Sequence, residues 1–396
     1  MTKTIQTKPW YKNIPNVWII PEDWDFDDFW NVFNSISTKK FQISNKEIQN
    51  NWNYFVVDQW NQLIAWFSNN EEKVFKNTPI IVFGDHTTNV KYIDFNFVIW
   101  ADWTKLLNNK KWDLYFLYSF LEFNKIPSEW YKRHFSILKQ LKILLPPIKE
   151  QNKIATILNI CNSQIETTKQ IIQKIELRNK WLQQQLLTWK KRISWFTEKW
   201  TNKQLSDIFN RVTRKNTEWE INVLTISAQR WLINQETYFN KQIASVTLDN
   251  YFLLYKWEFA YNKSYSNWYP MWAIKRLNDY EKWVVTTLYI CFWIKEELNY
   301  SSNFFEKYFE YWLLIRWLTE IAHEWWRAHW LLNVTPSDFF NLKVFIPNSI
   351  EQKAIADVLD KATEQLNEYK QKLEKLELQK KGLMQQLLTG KTRVKI

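Results

Sequence analysis

The polar side chains best placed to do chemistry lie in short loop-like segments in each half of the sequence. In the first half, Phe83-Gly84-Asp85-His86-Thr87-Thr88 follows a strand-like run, and Tyr131-Lys132-Arg133-His134-Phe135 puts cations beside aromatic rings. In the second half, the segment from Tyr261 to Asn267 is dense in donors and acceptors. The candidate DNA contacts in and after these segments are Asp85, His86, Thr87, Thr88, Arg133, His134, Asn262, Lys263, Ser264, Tyr265, Ser266, Lys275, Arg276, Arg327 and His329.

These residue types suit contact with nucleic acid better than the making or breaking of bonds. Lysine, serine and tyrosine side chains can hold phosphates, whereas arginine, asparagine and histidine can read base edges. The alternative interpretation of each segment is an ordinary solvated loop. Because such segments occur in both halves of the chain, we favour a set of nucleic-acid contacts.

Motifs for catalysis or for a bound metal are absent from the sequence. There is no GxxxxGK[ST] phosphate loop and no Asn/Asp-Pro-Pro-Tyr/Phe methyltransferase motif. The histidines and cysteines lack metal-ligand spacing. They are His86, His134, His323, His329, Cys161 and Cys291. We therefore predict no catalytic residue, no metal site and no cofactor bound by this chain.

The charge of the chain favours a polyanionic partner. Its 396 residues carry a net charge of +12 with a pI near 9.3, and a basic protein attracts nucleic acid. Two distant cysteines suit a reducing compartment. The N-terminus lacks an apolar signal core, and no apolar run reaches about 18 residues, the length of a membrane span. We therefore expect a cytosolic protein of two or three domains.

A tandem repeat divides the sequence. The segment Lys180-Trp181-Leu182-Gln183-Gln184-Gln185-Leu186-Leu187-Thr188-Trp189-Lys190 recurs 201 positions later as Lys381-Gly382-Leu383-Met384-Gln385-Gln386-Leu387-Leu388-Thr389-Gly390-Lys391. The same offset relates Glu150-Gln151 to Glu351-Gln352. A constant offset implies two equivalent structural units.

Each copy of the repeat ends in a heptad pattern that predicts a long helix. The seam of the second copy consists of Ile355, Leu359, Ala362, Leu366, Tyr369, Leu373, Leu376, Leu383 and Leu387. The first copy has the same seam, and its polar break at Asn179 is equivalent to Lys380. We predict helices over 152–190 and 353–391 that pair antiparallel, because a tandem repeat brings equivalent helices together about a pseudo-two-fold axis. The alternative is two amphipathic helices on separate cores.

The region before each helix predicts a globular domain with mixed α and β structure. Strand-like runs occur at Tyr54–Val57, Ile80–Phe83, Phe97–Ile99 and Val284–Ile290, and helical stretches at Asp113–Phe123 and Phe304–Ala322. The predicted fold class is α+β, with two tandem pseudo-symmetric globular domains, each followed by a long helix. The predicted boundaries are 1–148 and 194–347 for the two domains, and 149–193 and 348–396 for the helices.

Tryptophan stands where glycine is expected. The chain has 27 Trp and 3 Gly, whereas a globular protein of this length has about 28 Gly. Two mismatches between the repeat copies, at Trp181 and Trp189, replace glycine with tryptophan. We hypothesise that a UGA codon, translated here as Trp, is read as Gly in the source lineage. Trp24 and Trp200 look like genuine tryptophans, and UGG codons at Trp60, Trp100, Trp189 and Trp268 would refute the idea.

In combination, these features resemble the specificity (S) subunit of type I restriction-modification systems over nearly all of the chain. Leu-Leu-Thr-Gly-Lys at Leu387 to Lys391 and Ile-Pro-x-x-x-Glu-Gln at Ile346 to Gln352 are typical of the helices of that family. The segments around Asp85, Lys105 and Arg133 resemble one class of recognition domain, and this resemblance adds Lys105 to the candidate DNA contacts.

The second domain resembles another class of recognition domain, through Leu224 to Gln229 and Tyr261 to Arg276. In relatives, the positions of Trp100, Trp103, Trp268 and Trp272 are commonly glycine, in agreement with the codon hypothesis.

The resemblance implies a DNA-recognition subunit that does no chemistry itself. Such a subunit binds double-stranded DNA at a bipartite target, one half-site per domain, and recruits two methylation (M) subunits and two restriction/translocase (R) subunits for cellular defence. S-adenosylmethionine, ATP and Mg are then expected on those partners, with no membrane involved. The alternatives are a non-catalytic coiled-coil scaffold whose duplicated globules bind protein and an enzyme with an unrecognised site. The scaffold would not bind DNA at about 100 mM salt.

Overall fold

The chain folds into two units, and each unit has its own buried core. In the computed structural model, one unit comprises Met1–Ile171 with Tyr369–Ile396, and the other comprises Ile172–Glu368. The structure describes residues 11–14, 18–50, 53–100, 103–129, 132–227, 231–234, 248–262, 274–311, 313–314 and 334–395. Among these residues, no helix is both long and apolar enough to cross a membrane.

Unit 1 is built mainly from short strands, as its β-rich runs predict. Its strands are β1 Tyr11–Ile14, β2 Trp18–Pro21, β3 Asp25–Asp28, β4 Asn34–Ile36, β5 Gln42–Ile43, β6 Tyr54–Val57, β7 Trp66–Ser68, β8 Ile80–Gly84, β9 Val90–Ile93, β10 Phe97–Trp100, β11 Thr104–Asn108 and β12 Lys142–Leu145. Its helices are α1 Phe29–Val32, α2 Leu114–Phe123, α3 Phe135–Leu138 and the first part of α4 Ile148–Leu187.

Two four-stranded sheets form the framework of unit 1. Their strand orders are β5-β10-β6-β7 and β4-β11-β8-β9. Strand β10 is parallel to β5 and β6, whereas β8 is antiparallel to both β9 and β11. Val57, Val82 and Phe97 are buried in one core cluster, and Phe83, Phe116 and Leu144 in another. The second cluster also contains the first turns of α4, so the sheet and the long helix share a core.

Unit 2 is likewise built from short strands and short helices, but its strands pair in a different order. Its elements are β13 Thr201–Gln204, α5 Leu205–Ile208, β14 Phe209–Val212, β15 Leu224–Ser227, β16 Trp231–Asn234, β17 Phe252–Tyr255, β18 Phe259–Asn262, β19 Ile274–Arg276, β20 Lys282–Val285, β21 Tyr289–Ile294, α6 Ser302–Glu310, α7 Pro336–Phe340, β22 Lys343–Ile346 and α8 Ser349–Leu387. Its four-stranded sheet has the order β14-β21-β18-β19. Phe209, Phe259, Phe292 and Phe305 fill its core beside Leu186.

The prediction of two long paired helices is confirmed. In unit 1, Ile154 and Leu158 near the start of α4 pack with Met384 and Leu387 near the end of α8. In unit 2, Leu186 and Leu187 at the end of α4 pack with Ile355 and Leu359 near the start of α8. The start of each helix lies against the end of the other, so the pairing is antiparallel. The polar break at Asn179 has a partner, because its Nδ2 donates to the Ala362 carbonyl oxygen over 2.7 Å.

A glutamine holds the start of each long helix to the neighbouring short helix. In unit 1, Gln151 Nε2 donates to the Pro146 carbonyl (2.7 Å), and its Oε1 accepts from the Asp113 amide (3.1 Å) at the N-cap of α2. In unit 2, Gln352 makes the same two bonds, to Pro347 (2.9 Å) and Ser301 (3.1 Å). Both glutamines are buried. Their bonds satisfy backbone groups that the helix ends and the Pro-containing linkers leave without partners.

An arginine at the end of one long helix pairs with a glutamate at the start of the other. In unit 1, Arg393 Nε donates to Glu150 Oε1 (2.8 Å) and its Nη2 donates to Glu150 Oε2 (2.7 Å). In unit 2, Arg192 binds Glu351 in the same bidentate way, at 3.0 and 2.5 Å. Both glutamates are buried. Because Arg192 and Arg393 are equivalent by the repeat, as are the two glutamates, one ion pair occurs twice.

The unit 1 pair includes a further carboxylate and an indole. Arg393 also donates to both carboxylate oxygens of Asp23, at 2.8 and 2.7 Å, and this hydrogen bonding lowers the pKa of Asp23. The stabilisation from Asp23 is therefore present above its ordinary pKa and is lost as the pH falls. Trp24 Nε1 donates to Glu150 Oε2 over 3.1 Å, and its ring is fully buried.

Two segments differ from their predicted secondary structure. The run Val284–Ile290 was predicted as one strand, but β20 ends at Val285 and β21 begins at Tyr289, whose amide donates to the Thr286 carbonyl over 3.2 Å. This bond closes a turn between them. The helical stretch Phe304–Ala322 begins earlier, because Ser301 caps Phe304, and its helix ends at Glu310. Residues 312 and 315–322 lie outside the described part. The predicted domain boundaries remain predictions.

We predict that Glu351→Ala lowers the free energy of unfolding by about 3 kcal/mol, because it leaves the Arg192 guanidinium without its buried partner. Urea denaturation of the purified chain measures the change. Glu166→Ala is the control: its carboxylate forms an exposed pair with Lys169, and its loss should change stability by less than about 0.5 kcal/mol. Equal effects of the two substitutions would contradict the importance assigned to the buried pair.

Candidate nucleic-acid interface

The turn after β8 is locked to the segment before α3 by Asp85 and His134, which are both buried. The Asp85 carbonyl oxygen accepts from the His134 amide and from His134 Nδ1, each over 2.9 Å. The Asp85 carboxylate accepts from the Phe135 amide over 2.7 Å. On the other side of the ring, His134 Nε2 accepts from the Glu129 amide over 3.0 Å. This geometry matches the tautomer in which Nδ1 donates and Nε2 accepts.

His86 and Arg133, which flank this lock in sequence, both contact the ring of Trp103. The His86 ring meets Trp103 edge to face, with centroids 4.2 Å apart. The Arg133 guanidinium carbon lies 4.9 Å from the Trp103 ring centroid. Arg133 is exposed and His86 is half-buried. Both side chains are thus positioned by buried neighbours while they remain accessible to a ligand.

Thr87 and Thr88 help to define the conformation of the turn. Thr87 Oγ1 donates to the Gln59 carbonyl oxygen, and Thr88 is buried with a left-handed φ of 57°. Gly84 permits the close approach, because a Cβ at that position would lie 2.8 Å from the Gln59 carbonyl oxygen. Of the four polar residues expected to contact DNA from this turn, the structure leaves His86 most available.

Two lysines extend the basic surface along an aromatic ridge. Lys105 Nζ lies 5.8 Å from the centroid of Phe135, and Lys139 Nζ lies 5.4 Å from the same centroid. Lys139 also lies 5.1 Å from the ring centroid of Trp30, which is about half exposed. We call His86, Lys105, Arg133 and Lys139 the cationic face of unit 1. Lys139 was not among the contacts predicted from the sequence, although it lies close to the Arg133 segment.

In unit 2, the predicted DNA contact Arg276 is buried. Arg276 is 5% exposed, and burial lowers its pKa in opposition to the nearby Glu306. Its guanidinium donates to Asn278, Ser302, Asn303 and Glu306 over 2.7 to 2.8 Å. These bonds involve every guanidinium nitrogen and four of the five N–H donors, so a buried Arg276 is poorly placed to read a base.

Lys275 and Asn262 are the other candidate contacts of unit 2 within the described residues. Lys275 Nζ binds Glu310 Oε1 over 3.0 Å, and Asn262 ends β18 opposite Tyr289. The other candidate contacts of unit 2 lie outside the described residues: they are Lys263, Ser264, Tyr265, Ser266, Arg327 and His329. Tyr131 of the first-half motif lies outside them as well. For all of these positions, DNA contact stays a prediction.

A second polar group of unit 2 has no signal in the sequence, because its members come from distant segments. The Arg214 guanidinium lies 4.1 Å from the Tyr255 ring centroid and donates to both Glu258 carboxylate oxygens, at 2.6 and 2.7 Å. The Tyr255 hydroxyl donates to Glu218, which also binds Lys282 over 3.0 Å. Hydrogen bonds from Tyr255 and then Lys282 lower the pKa of Glu218.

These arrangements suit binding rather than bond-making. Within the described part of the chain, no three His, Cys, Asp or Glu side chains are grouped so that they could hold a metal ion. The Cys291 thiol is buried, and burial raises its pKa, which disfavours the reactive thiolate. The chemistry that the cationic face does offer is attraction of phosphates and recognition of base edges.

We predict that His134→Ala lowers the free energy of unfolding by about 1–3 kcal/mol, because it removes the bonds to the Asp85 carbonyl and the Glu129 amide. The loss is measured by urea denaturation, and hydrogen exchange at Glu129 should accelerate with it. His86→Ala, in the same turn, should change stability by less than about 0.5 kcal/mol. An unaltered exchange rate at Glu129 in His134→Ala would refute the proposed lock.

Comparison with known proteins identifies relatives in sequence and in fold. Residues 21–177 match the model of a family described as the type I restriction modification DNA specificity domain. The fold is similar to that of the S subunit of a type I restriction-modification system from M. genitalium, with a TM-score of 0.61 at 16% identity, over 95% of this chain and 97% of that one.

A second solved structure is described as showing the structural basis underlying complex assembly and conformational transition of the type I R-M system. Its TM-score is 0.52 at 10% identity. The match covers 94% of this chain and 99% of that one. At these identities the structural likeness concerns the fold, and the expected α+β architecture of tandem domains with paired helices is confirmed.

Proposed function

We propose that the chain selects the DNA target of a type I restriction-modification enzyme, because residues 21–177 match the model of the type I restriction modification DNA specificity domain family. The family match carries the proposal. The fold shared with an S subunit along nearly the whole chain supports extending the role to unit 2. The chain positions its partners on DNA and leaves the chemistry to them.

We infer that the target is bipartite, with one half-site for each unit. The repeat supplies two units of equivalent plan, and each has its own polar and cationic groups. In unit 1, Lys105 and Lys139 suit phosphates, whereas Arg133 and His86 suit base edges. A face with this composition binds DNA more weakly as salt rises, because each neutralised phosphate releases a counterion.

The catalytic steps belong to partner subunits in this proposal. Two methylation subunits use S-adenosylmethionine and flip an adenine out of the duplex, and two restriction subunits use ATP and Mg. This chain contributes their placement. The four bound subunits and the DNA are its partners, and the site of action is the cytoplasm.

A surface stripe that is identical in the two repeat copies supports recruitment of two copies of one partner. Lys174, Leu177 and Gln184 are exposed on one face of α4, and Lys375, Leu378 and Gln385 are their exposed equivalents on α8. The leucines are 69% and 62% exposed, and solvation alone does not favour leucine at such positions.

Some other exposed positions of the two helices have diverged. Ile160 is equivalent to Lys361, and Arg178 to Gln379, whereas Glu176 and Lys180 recur unchanged as Glu377 and Lys381. An exposed leucine that recurs in both helices fits a surface that meets the same partner twice. We call these two sets of three residues the repeated stripes.

We expect Arg133→Ala or His86→Ala to relax recognition in one half-site only, and Asn262→Ala or Lys263→Ala to affect only the other. Loss of a base-reading arginine should cost about 1–3 kcal/mol at one position of the target. Expression with the cognate methylation subunit, followed by methylome sequencing, reveals the altered half.

Lys169→Ala is the control, because it removes the same charge from the helix α4 and should leave both half-sites unchanged. If substitutions in one unit shifted both halves, the assignment of one half-site to each unit would be wrong. Absence of DNA binding by the assembled complex at about 100 mM salt would instead favour a protein-binding scaffold.

We predict that Leu177→Glu and Leu378→Glu each remove one methylation subunit from the complex, and that the double variant removes both. A charged side chain in an apolar contact lacks compensation for its desolvation. Native mass spectrometry of the complex counts the bound subunits. Ile160→Glu is the matched control, since Ile160 is an exposed apolar residue of α4 outside the stripe. Full occupancy in the double variant would rule out this docking surface.

A further inference from the structure

The backbone carries tryptophan at positions that ordinary side chains avoid. Among the described residues, those other than glycine with positive φ are Thr88 at 57°, Trp189 at 59°, Trp219 at 57°, Trp257 at 75° and Asn299 at 46°. Asparagine tolerates this left-handed region, whereas for a bulky side chain it is an outlier. A β-branched threonine is disfavoured there too, so four of these five positions are strained by their residue, and three of the four are tryptophan.

The repeat provides a direct comparison for one of them. Trp189 is equivalent to Gly390, which has a φ of 71°. The chain leaves both long helices by the same turn: the Lys191 amide donates to the Gln185 carbonyl, and the Thr392 amide to the Gln386 carbonyl, each over 3.0 Å. Helices often end through a left-handed residue, which is usually glycine. The two copies thus share the backbone conformation and differ in the residue that it favours.

Gly390 shows why this turn requires glycine in unit 1. A Cβ at that position would lie 2.5 Å from Cδ and 2.8 Å from Cγ of Pro21, closer than real contacts allow. The φ angle alone gives the same preference at position 189.

The three strained tryptophans also contribute little to the cores. Trp219 is 79% exposed, and Trp189 and Trp257 are each about half exposed. Trp24 and Trp200, in contrast, are buried, and neither has a positive φ. Burial and backbone conformation therefore distinguish these three tryptophans from Trp24 and Trp200.

We propose that positions 189, 219 and 257 are glycine in the protein that its own cell makes, through UGA codons read as glycine. The backbone supports this assignment position by position, independently of the 27 Trp and 3 Gly in the composition. The assignment does not depend on the proposed DNA-binding role. Positions 24 and 200 remain tryptophan.

The assignment changes the surface of unit 2 around Arg276. The guanidinium carbon of Arg276 lies 4.7 Å from the Trp257 ring centroid, and Trp257 lines a cleft of about 350 Å³ with Lys256 and Lys295. Glycine at position 257 removes the indole beside Arg276 and widens this cleft, which Glu258 and Glu296 also line.

The test is peptide mass spectrometry of the protein purified from its source cells. We expect peptides that contain glycine at positions 189, 219 and 257, and tryptophan at 24 and 200, with UGA codons at the first three positions and UGG at the last two. Tryptophan in the peptides at the three positions, or UGG codons there, would overturn the proposal.

A stability measurement tests the backbone argument separately. The recombinant triple variant Trp189→Gly, Trp219→Gly, Trp257→Gly should unfold at a higher urea concentration than the unsubstituted chain, because glycine relieves the backbone strain at these positions of positive φ. Trp24→Gly and Trp200→Gly are matched controls that remove a buried ring and should unfold at lower concentrations. A triple variant with an unchanged or lower midpoint would show that these positions do not favour glycine.

Discussion

The exchanged ion pairs at the helix ends are the interaction on which the rest of the structure depends. Each pair joins the segment that follows one long helix to the first turn of the other: Arg393 binds Glu150, and Arg192 binds Glu351. The adjacent glutamines tie the same turns to α2 and α6. Because buried ionic groups tolerate few alternative arrangements, such pairs favour one register of the helices over its competitors. The apolar seam supplies stabilisation, and the polar ends define where each helix must stop.

Much of the fold could be predicted from the sequence because the repeat and the heptads are long patterns. The paired helices and their antiparallel sense followed from one constant offset. Short elements were less predictable: the turn at Thr286 interrupts an apolar run that reads as one strand, since a single backbone hydrogen bond decides it. The identical Glu-Gln pairs were visible in both copies, but their partners were not, because the bonded groups lie far away in sequence.

The candidate site was predictable only in part, and burial explains the difference. His86 and Arg133 stand on the surface, as residue type suggested, whereas their neighbours Asp85 and His134 are buried and hold the loop. Arg276 has the same residue type as Arg133, yet acceptors from α6 surround it. A sequence segment gives the chemistry of a side chain, but the partners that engage it come from elsewhere in the chain. Arg214 and Tyr255 illustrate the converse, a contact assembled from segments with no motif.

Unit 1 combines segments that are far apart in the chain, and this has a consequence for biosynthesis. Its core includes Met384, Leu387 and Leu388 together with Trp24 and Phe29, so the first and last parts of the chain belong to one folding unit. A ribosome works from the N-terminus, and domains commonly fold as their residues emerge. All residues of unit 2 leave the ribosome earlier, whereas Ile154 and Leu158 of α4 are covered only after Met384 and Leu387 of α8 have emerged. During synthesis, the first domain of the nascent chain therefore exposes an incomplete core until α8 has emerged.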